Sequence, residues 1–403
     1  MKLDYLLERE DFITVFNTSI SDYLENSCNW TGSIFWNKKS TKGDENFLVN
    51  KRLNLIFPAK TSFRDLKNIA REYSYNPNMF MRWLQSIYVL LALSHVTRKI
   101  FSSQYLYIET IPKILKNACI IPGNHSIRVV DLSSNECIVL RKKSYRKDKL
   151  ENLVASRCRF TNIPGPLLYK FDLENGWYKE ERIFGIPIDR TMNEVAAKKS
   201  LNAAQKCMLE IYSISRQEIL LSDWMEIKSK DLAVGIDNMP SCYSTKERML
   251  VLTIFSTLSR LVKNLDIDDF NVISSITHGD FQSANILIPL NKDTREVYLI
   301  DWEYSKRRCQ HYDNFVFMFG ARSPKGLSHR ILANIENTSK IQETLIESGI
   351  KESTVNQHKL YIYLFLIEEI VYRLEDTDVP NLKNTERGFI TLLDELNKMF
   401  GNI

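Results

Sequence analysis

The chain lacks most of the signals that would assign it at a glance. Its seven cysteines stand at wide, irregular intervals with no Cys-x-x-Cys or Cys-x-x-His pair. That excludes the common zinc and dithiol motifs and leads us to expect reduced thiols. No apolar segment follows Met1-Lys2-Leu3-Asp4, where charge appears at once, so no secretory signal is read and a cytoplasmic protein is expected. No apolar run spans a bilayer: 80–96 contains Arg82, and 361–372 is cut by Glu368 and Glu369. Repeats, low-complexity tracts and nucleic-acid-binding motifs are absent. Hydrophobic residues make up 44% and charged residues 26%, values of an ordinary globular protein with a buried core. The net charge is only +5, gathered in Lys38-Lys39, 141–149 and Lys306-Arg307-Arg308. These clusters are read as solvated surface, or as contacts to a phosphate-bearing partner or an anionic membrane.

What is present is concentrated between residues 272 and 303. His278-Gly279-Asp280-Phe281-Gln282-Ser283-Ala284-Asn285 reads HGDxxxxN, and Ile300-Asp301-Trp302-Glu303 follows after a short polar gap. Each polar residue suits a task in moving a phosphoryl group to a hydroxyl. Asp280 can accept the hydroxyl proton, and Asn285 with Asp301 can hold Mg²⁺ against nucleotide phosphates. Val272–Thr277 reads as a strand leading into the motif. Ile286-Leu287-Ile288 and Val297–Ile300 read as a hairpin across the polar stretch that holds Asn291 and Asp293. Such a hairpin would bring Asn285 and Asp301, at its two ends, face to face.

These residues resemble the catalytic core of the aminoglycoside phosphotransferase/choline kinase family. The resemblance implies an α+β, two-lobed protein-kinase-like fold, with an antiparallel-sheet N-lobe and a mostly helical C-lobe. It also implies an ATP- and Mg²⁺-dependent transfer to a small-molecule hydroxyl: a sugar, an amino alcohol or a glycan precursor. His278 would then organise the loop through hydrogen bonds. Asp313 would order the same loop, and Trp302 would serve packing.

An N-lobe can be read upstream. Ala118–Pro122, Ser126–Asp131 and 136–143 are three short strands joined by turns, a β-meander. The resemblance places a phosphate-anchoring cation at the end of the third, at Arg141 or, on the same strand face, Lys143. It offers Glu151, in a helix over 149–159, as that cation's partner. Strands around Asn175-Gly176 form a second hairpin, and Glu181 to Ile183 would be the inter-lobe strand whose backbone holds an adenine edge. Helices are expected at 193–213, 246–265, 327–347, 357–375 and 386–400.

The segments expected are therefore an extra N-terminal α/β module over 1–110, an N-lobe over 111–188 and a C-lobe over 189–403. In the module, helices are read at 11–24, 62–75 and 78–99, and strands at Ile34–Trp36 and Leu53–Phe57. A catalytically silent scaffold with the same fold is the alternative. Its motivation is the single glycine of the Pro122-Gly123-Asn124 turn and the arginine in place of a lysine. A protein kinase is disfavoured, because no Asp-Phe-Gly, glycine-rich loop or Ala-Pro-Glu segment is found.

Overall fold

The computed structural model describes residues 3–37, 47–143, 145–160, 163–267, 269–290, 295–336, 338–351, 353–379 and 382–401. Lys38, Lys39, Asn291 and Asp293 lie outside them. Two units emerge: Met1–Arg157 with Pro164–Leu201 and Ile286–Ile300, and Cys158–Ile163 with Asn202–Asn285 and Asp301–Ile403.

The first unit is organised by one antiparallel sheet. Its strands are β1 (Ile34–Asn37), β2 (Phe47–Asn50), β3 (Leu55–Pro58), β4 (Gln104–Ile108), β5 (Ala118–Pro122), β6 (Ser126–Asp131), β7 (Glu136–Arg141), β8 (Leu168–Asp172) and β9 (Trp177–Glu181), in the order β1-β4-β2-β3-β5-β6-β7-β9-β8. The expected meander is β5-β6-β7, with Ile120 opposite Val129 and Val129 opposite Ile138. The strands of 1–110 continue this sheet, since β3 pairs with β5 through Ile56 and Ile120. Side chains alternate faces along a strand, and both faces are covered. Val49 and Ile56 face helix α2 (Phe12–Cys28), whose Phe12, Phe16, Ile20 and Leu24 recur every fourth residue. Leu48, Leu55 and Phe57 face the opposite way, toward helices α3 (Lys67–Tyr73) and α4 (Met79–Leu93). Helix α1 (Leu3–Arg9) precedes α2, and α5 (Lys147–Arg159) follows β7. The Asn175-Gly176 turn joins β8 to β9, with Gly176 at φ +72°. The hairpin after Asn285 is present as β13 (Ile286–Pro289) paired with β14 (Tyr298–Leu299), and β10 (Gly185–Pro187) extends it.

The second unit is mostly helical, completing the α+β organisation. Helix α12 (Val355–Thr377) is its centre, buried along nearly its whole length. Around it lie α7 (Leu221–Asp237), α8 (Thr245–Lys263), α9 (Tyr312–Phe319), α10 (Leu327–Glu336), α11 (Thr338–Glu347) and α13 (Arg387–Phe400), and most of α6 (Glu194–Ser215) belongs to the same unit. The single helix expected over 327–347 is two, and α7 and α9 had no counterpart in the sequence reading. Capping boxes Ser244/Glu247 and Thr354/Gln357 fix the starts of α8 and α12. A small sheet, β11 (Gln217–Leu220), β12 (Asn271–Thr277) and β15 (Lys306–Cys309), carries the HGDxxxxN loop at the end of its middle strand. No described helix is long and apolar enough to cross a membrane.

Candidate active site

The loop after β12 is fixed by a carboxylate that accepts its backbone. Asp313, fully buried at the start of α9, accepts hydrogen bonds from His278 N at 2.7 Å, Gly279 N at 2.8 Å and the Tyr212 hydroxyl at 3.0 Å. Three donors on one buried carboxylate stabilise its charge and pin the loop. Asp313 therefore orders the loop, as the sequence suggested. Gly279 has φ +84°, and a Cβ there would sit 2.3 Å from the Tyr304 carbonyl oxygen, so both the backbone angle and the space demand glycine. His278 Nδ1 accepts from Asp280 N at 3.2 Å, which puts the ring proton on Nε2. Its ring lies against Trp302, with centroids 4.6 Å apart. His278 and Trp302 are both buried.

Asp280 is held through both carboxylate oxygens. Asn285 Nδ2 donates to Asp280 Oδ2 at 2.7 Å and to the Asp280 carbonyl at 2.9 Å, and Gln282 Nε2 donates to Oδ2 at 2.9 Å. Arg322 Nε donates to Oδ1 at 2.6 Å. A carboxylate offers about four lone-pair positions, so one on Oδ1 remains for a hydroxyl proton. With its nitrogen turned to Asp280, Asn285 turns its oxygen the other way, and among the described residues nothing hydrogen-bonds that oxygen. Asp301 follows β14 in the left-handed conformation (φ 64°, ψ 53°), a costly backbone for a residue other than glycine and one that functional sites concentrate. Because Ile286 pairs with Leu299, Asn285 and Asp301 lie just beyond the same end of the hairpin, as its length predicted. An amide oxygen and a carboxylate are a donor set suited to Mg²⁺, which takes one or two protein carboxylates and fills the rest of its octahedron with phosphate and water.

Arg322 was missed in the sequence, and it is the most connected residue of the site. Besides Asp280 it donates to both oxygens of Glu369, at 2.6 and 2.8 Å, to the Gly279 carbonyl at 2.6 Å and to the Tyr312 hydroxyl at 3.2 Å. Its guanidinium lies 4.0 Å from the Tyr372 ring centroid. Arg373 Nε adds a bond to Glu369 at 3.1 Å, so two arginines balance two carboxylates. Burial alone would lower the Arg322 pKa, but the facing Glu369, Tyr372, Tyr312 and Asp280 more than reverse this, and it stands raised well above its ordinary value. Burial pushes Glu369 up and the two arginines pull it further down, leaving it below its ordinary value. The available signal was Glu368-Glu369 itself: carboxylates inside an otherwise apolar helix demand cationic partners.

In the basic run Lys306-Arg307-Arg308, Arg308 is buried, Lys306 and Arg307 are half-buried, and each has a partner within the unit. Lys306 pairs with Glu375, Arg307 donates to the Ser215 carbonyl at 2.8 Å, and Arg308, 1% exposed, donates to Thr277 Oγ1 and the Tyr304 carbonyl. These side chains brace β15 from within. Their charge gives no ground for preferring or excluding any acceptor.

The remaining candidates lie in the first unit. Arg141 closes β7. Its backbone N–H donates to the Gly176 carbonyl at 2.8 Å and its guanidinium to the Tyr145 carbonyl, while its Nε is buried without a hydrogen bond among the described residues. Burial lowers its pKa, and the charge of Glu151 partly restores it, so Arg141 and Glu151 are electrostatic neighbours. Glu151 also reaches Lys147 at 3.8 Å on the exposed side of α5. Lys143 lies beyond the strand end, is 59% exposed and pairs with Asp22, and so lacks the shielding of a phosphate anchor. The fully buried cation is Lys142 on the other face, 2.5 Å from Glu10 Oε1, with the Tyr145 hydroxyl donating to Glu10 Oε2 at 2.9 Å. Glu181 ends β9 and accepts from Leu167 N at 3.1 Å. Ile183 stands in the half-buried link between β9 and β10.

No protein-family model and no curated protein matches the chain. Solved structures do. The chain is similar to a choline kinase from Streptococcus pneumoniae at 14% identity and TM-score 0.46, over 70% of this chain and 91% of that one. It is similar to an ethanolamine kinase from Plasmodium vivax at 13% and 0.45, over 85% and 98%. An aminoglycoside phosphotransferase from Streptomyces rimosus matches at 16% and 0.38, over 62% and 91%. These are the proteins whose kinase-like fold the sequence resembles.

Proposed function

We propose that this protein is a small-molecule phosphotransferase that moves the γ-phosphoryl group of ATP, with Mg²⁺, to a hydroxyl of a sugar, an amino alcohol or a glycan precursor. The observation that carries the reading is the carboxylate of Asp280, fixed by Asn285, Gln282 and Arg322 with one Oδ1 position left for a hydroxyl proton. Asn285 and Asp301 fit a divalent cation, which would neutralise phosphate charge and orient the nucleotide. The chain's own part is positional. Asp280 orients the acceptor hydroxyl and takes its proton as the oxygen bonds to phosphorus. Asp313 and Gly279 keep the loop in the single shape that allows this. Arg141 is the first-unit cation we assign to the donor phosphates, with Glu151 nearby. The stretch from Glu181 to Ile183 we assign to the nucleotide base.

Two measurements test it. Thermal melting with ATP should rise when Mg²⁺ is present, and Asp301→Ala should remove the rise, because only a ligand bound to the folded state stabilises it. Acceptor-dependent ATP turnover should fall by about a hundredfold or more in Asp280→Ala. Nucleotide binding without turnover on any hydroxyl compound would instead favour a silent scaffold. Unchanged turnover in Asp280→Ala would refute the assignment of the base.

A further inference from the structure

Helix α4 (Met79–Leu93) exposes a face without polar side chains. Its buried residues are Val89, Ala92 and Leu93, which pack on the sheet of the first unit. At about 100° per residue, the positions opposite them are Met79, Phe80, Trp83, Leu84, Ile87 and Leu90, an arc of roughly 140°. All six are exposed, from 37% for Ile87 to 75% for Met79, and Trp83 is 60% exposed. By the same spacing Arg82, Gln85 and Ser86, all half-buried, fall on the half of the helix that carries Val89, Ala92 and Leu93. The apolar surface continues past the helix through Val96 and Ile100, 85% and 80% exposed. Single exposed hydrophobic residues need no explanation, but a contiguous face of them marks an interaction site.

The flanks name the partner. Residues 60–100 contain seven Lys or Arg against two Asp or Glu, and of the seven Arg98 is buried against the Thr61 carbonyl, which leaves six for the surface. Of those two acids, Glu72 pairs with Arg182 and Asp65 accepts from Ser62. Arg82 lies over the Tyr75 ring, 5.0 Å from its centroid, and Arg71 donates to the Tyr75 hydroxyl, so both arginines gather at the start of the helix. Lys99 is exposed beside Ile100. We infer that α4 is a docking surface for an anionic phospholipid membrane, lying in the interface plane with its apolar face among the acyl chains and the basic segments that flank it at the headgroups. At 15 residues with Arg82 inside, the helix lies on a bilayer and does not span it. A second copy of the chain fits less well. A two-fold contact brings the same patch against itself, so it crowds the cations of the two flanking segments at one seam with few acids to offset them. This inference is independent of the proposed phosphotransferase activity.

Vesicle co-sedimentation of the full chain tests it, with vesicles of phosphatidylcholine alone and of phosphatidylcholine with phosphatidylglycerol. The wild type should bind the anionic vesicles, less so at high salt, and bind the neutral ones weakly. Phe80→Glu/Trp83→Glu should reduce binding at least about tenfold, since each large apolar side chain transferred from water contributes about that factor or more. Both positions are exposed, so the variant's melting temperature should match the wild type and exclude misfolding. Trp83 emission should shift to the blue on anionic vesicles, a change lost in Trp83→Phe. A wild type that stays in the supernatant with anionic vesicles overturns the proposal, and so does equal binding to both compositions. A concentration-dependent dimer in sedimentation velocity, abolished by the double substitution, would overturn it in favour of a second copy.

Discussion

Replacing Arg322 by methionine should separate what holds the site from what reacts in it. The side chain has nearly the same length but removes five hydrogen bonds at once: one to Asp280, two to Glu369, one to the Gly279 carbonyl and one to Tyr312. Glu369 is fully buried and would keep only Arg373 and the Tyr312 hydroxyl. Removing one member of a buried ion pair costs about 3–5 kcal/mol, chiefly because the partner charge stays behind without compensation. Urea unfolding of the second unit, followed by near-ultraviolet circular dichroism, should show a loss of that size. Arg322→Lys should lose less stability, because the positive charge remains while the planar fork does not. Its kcat should nevertheless fall by about a hundredfold, the scale of a 1 Å misplacement of a catalytic group, with KM for ATP little changed. A melting temperature and turnover both within error of wild type in Arg322→Met would refute the view that this cluster positions Asp280.

Two further outcomes follow from buried charge. Lys142→Met should destabilise the first unit by about 3–5 kcal/mol, since Glu10 is 1% exposed and would lose its nearest cation. Glu10→Gln/Lys142→Met should recover part of that loss, and chemical denaturation distinguishes the two. His311 is buried with Nε2 against the Tyr361 carbonyl at 2.9 Å, and burial lowers its pKa to about 3. Its unfolded form takes up a proton near pH 6.5 while the folded form resists until about 3, so its contribution is complete above pH 6.5 and is lost as pH falls between those values. Unfolding free energy measured from pH 7 to pH 4 should therefore drop less in His311→Gln than in the wild type.

Much of the site was legible because its signal is local. HGDxxxxN, the hairpin and Asp301 lie within two dozen residues, and hairpin pairing alone brings Asn285 and Asp301 to one end. The meander and the amphipathic helices were legible for the same reason, since period and turn chemistry are local properties. Strands β2 and β4 were not: β2 is four residues buried without alternation, and β4 alternates only over its last few residues. How deeply basic residues are buried was not legible in two places. Lys306-Arg307-Arg308 resembles a solvated or ligand-binding patch, yet its three side chains are used internally against Glu375, Ser215, Thr277 and Tyr304. On β7 the sequence offers Arg141 and Lys143 on one face, while the deeply buried cation is Lys142 on the other, held by Glu10 from 132 residues away.

The amino-acid sequence thus determined the HGDxxxxN loop, the hairpin that brings Asn285 and Asp301 to one end and the α+β organisation, because each depends on residues close in the chain. Tertiary structure alone decided which charges are spent on the fold and which remain for chemistry. Arg322 reaches Asp280 across 42 residues and Glu369 across 47. No periodicity encodes such a contact, because it exists only once α12 has been packed beneath the loop and the buried carboxylate of Glu369 has to find its partner.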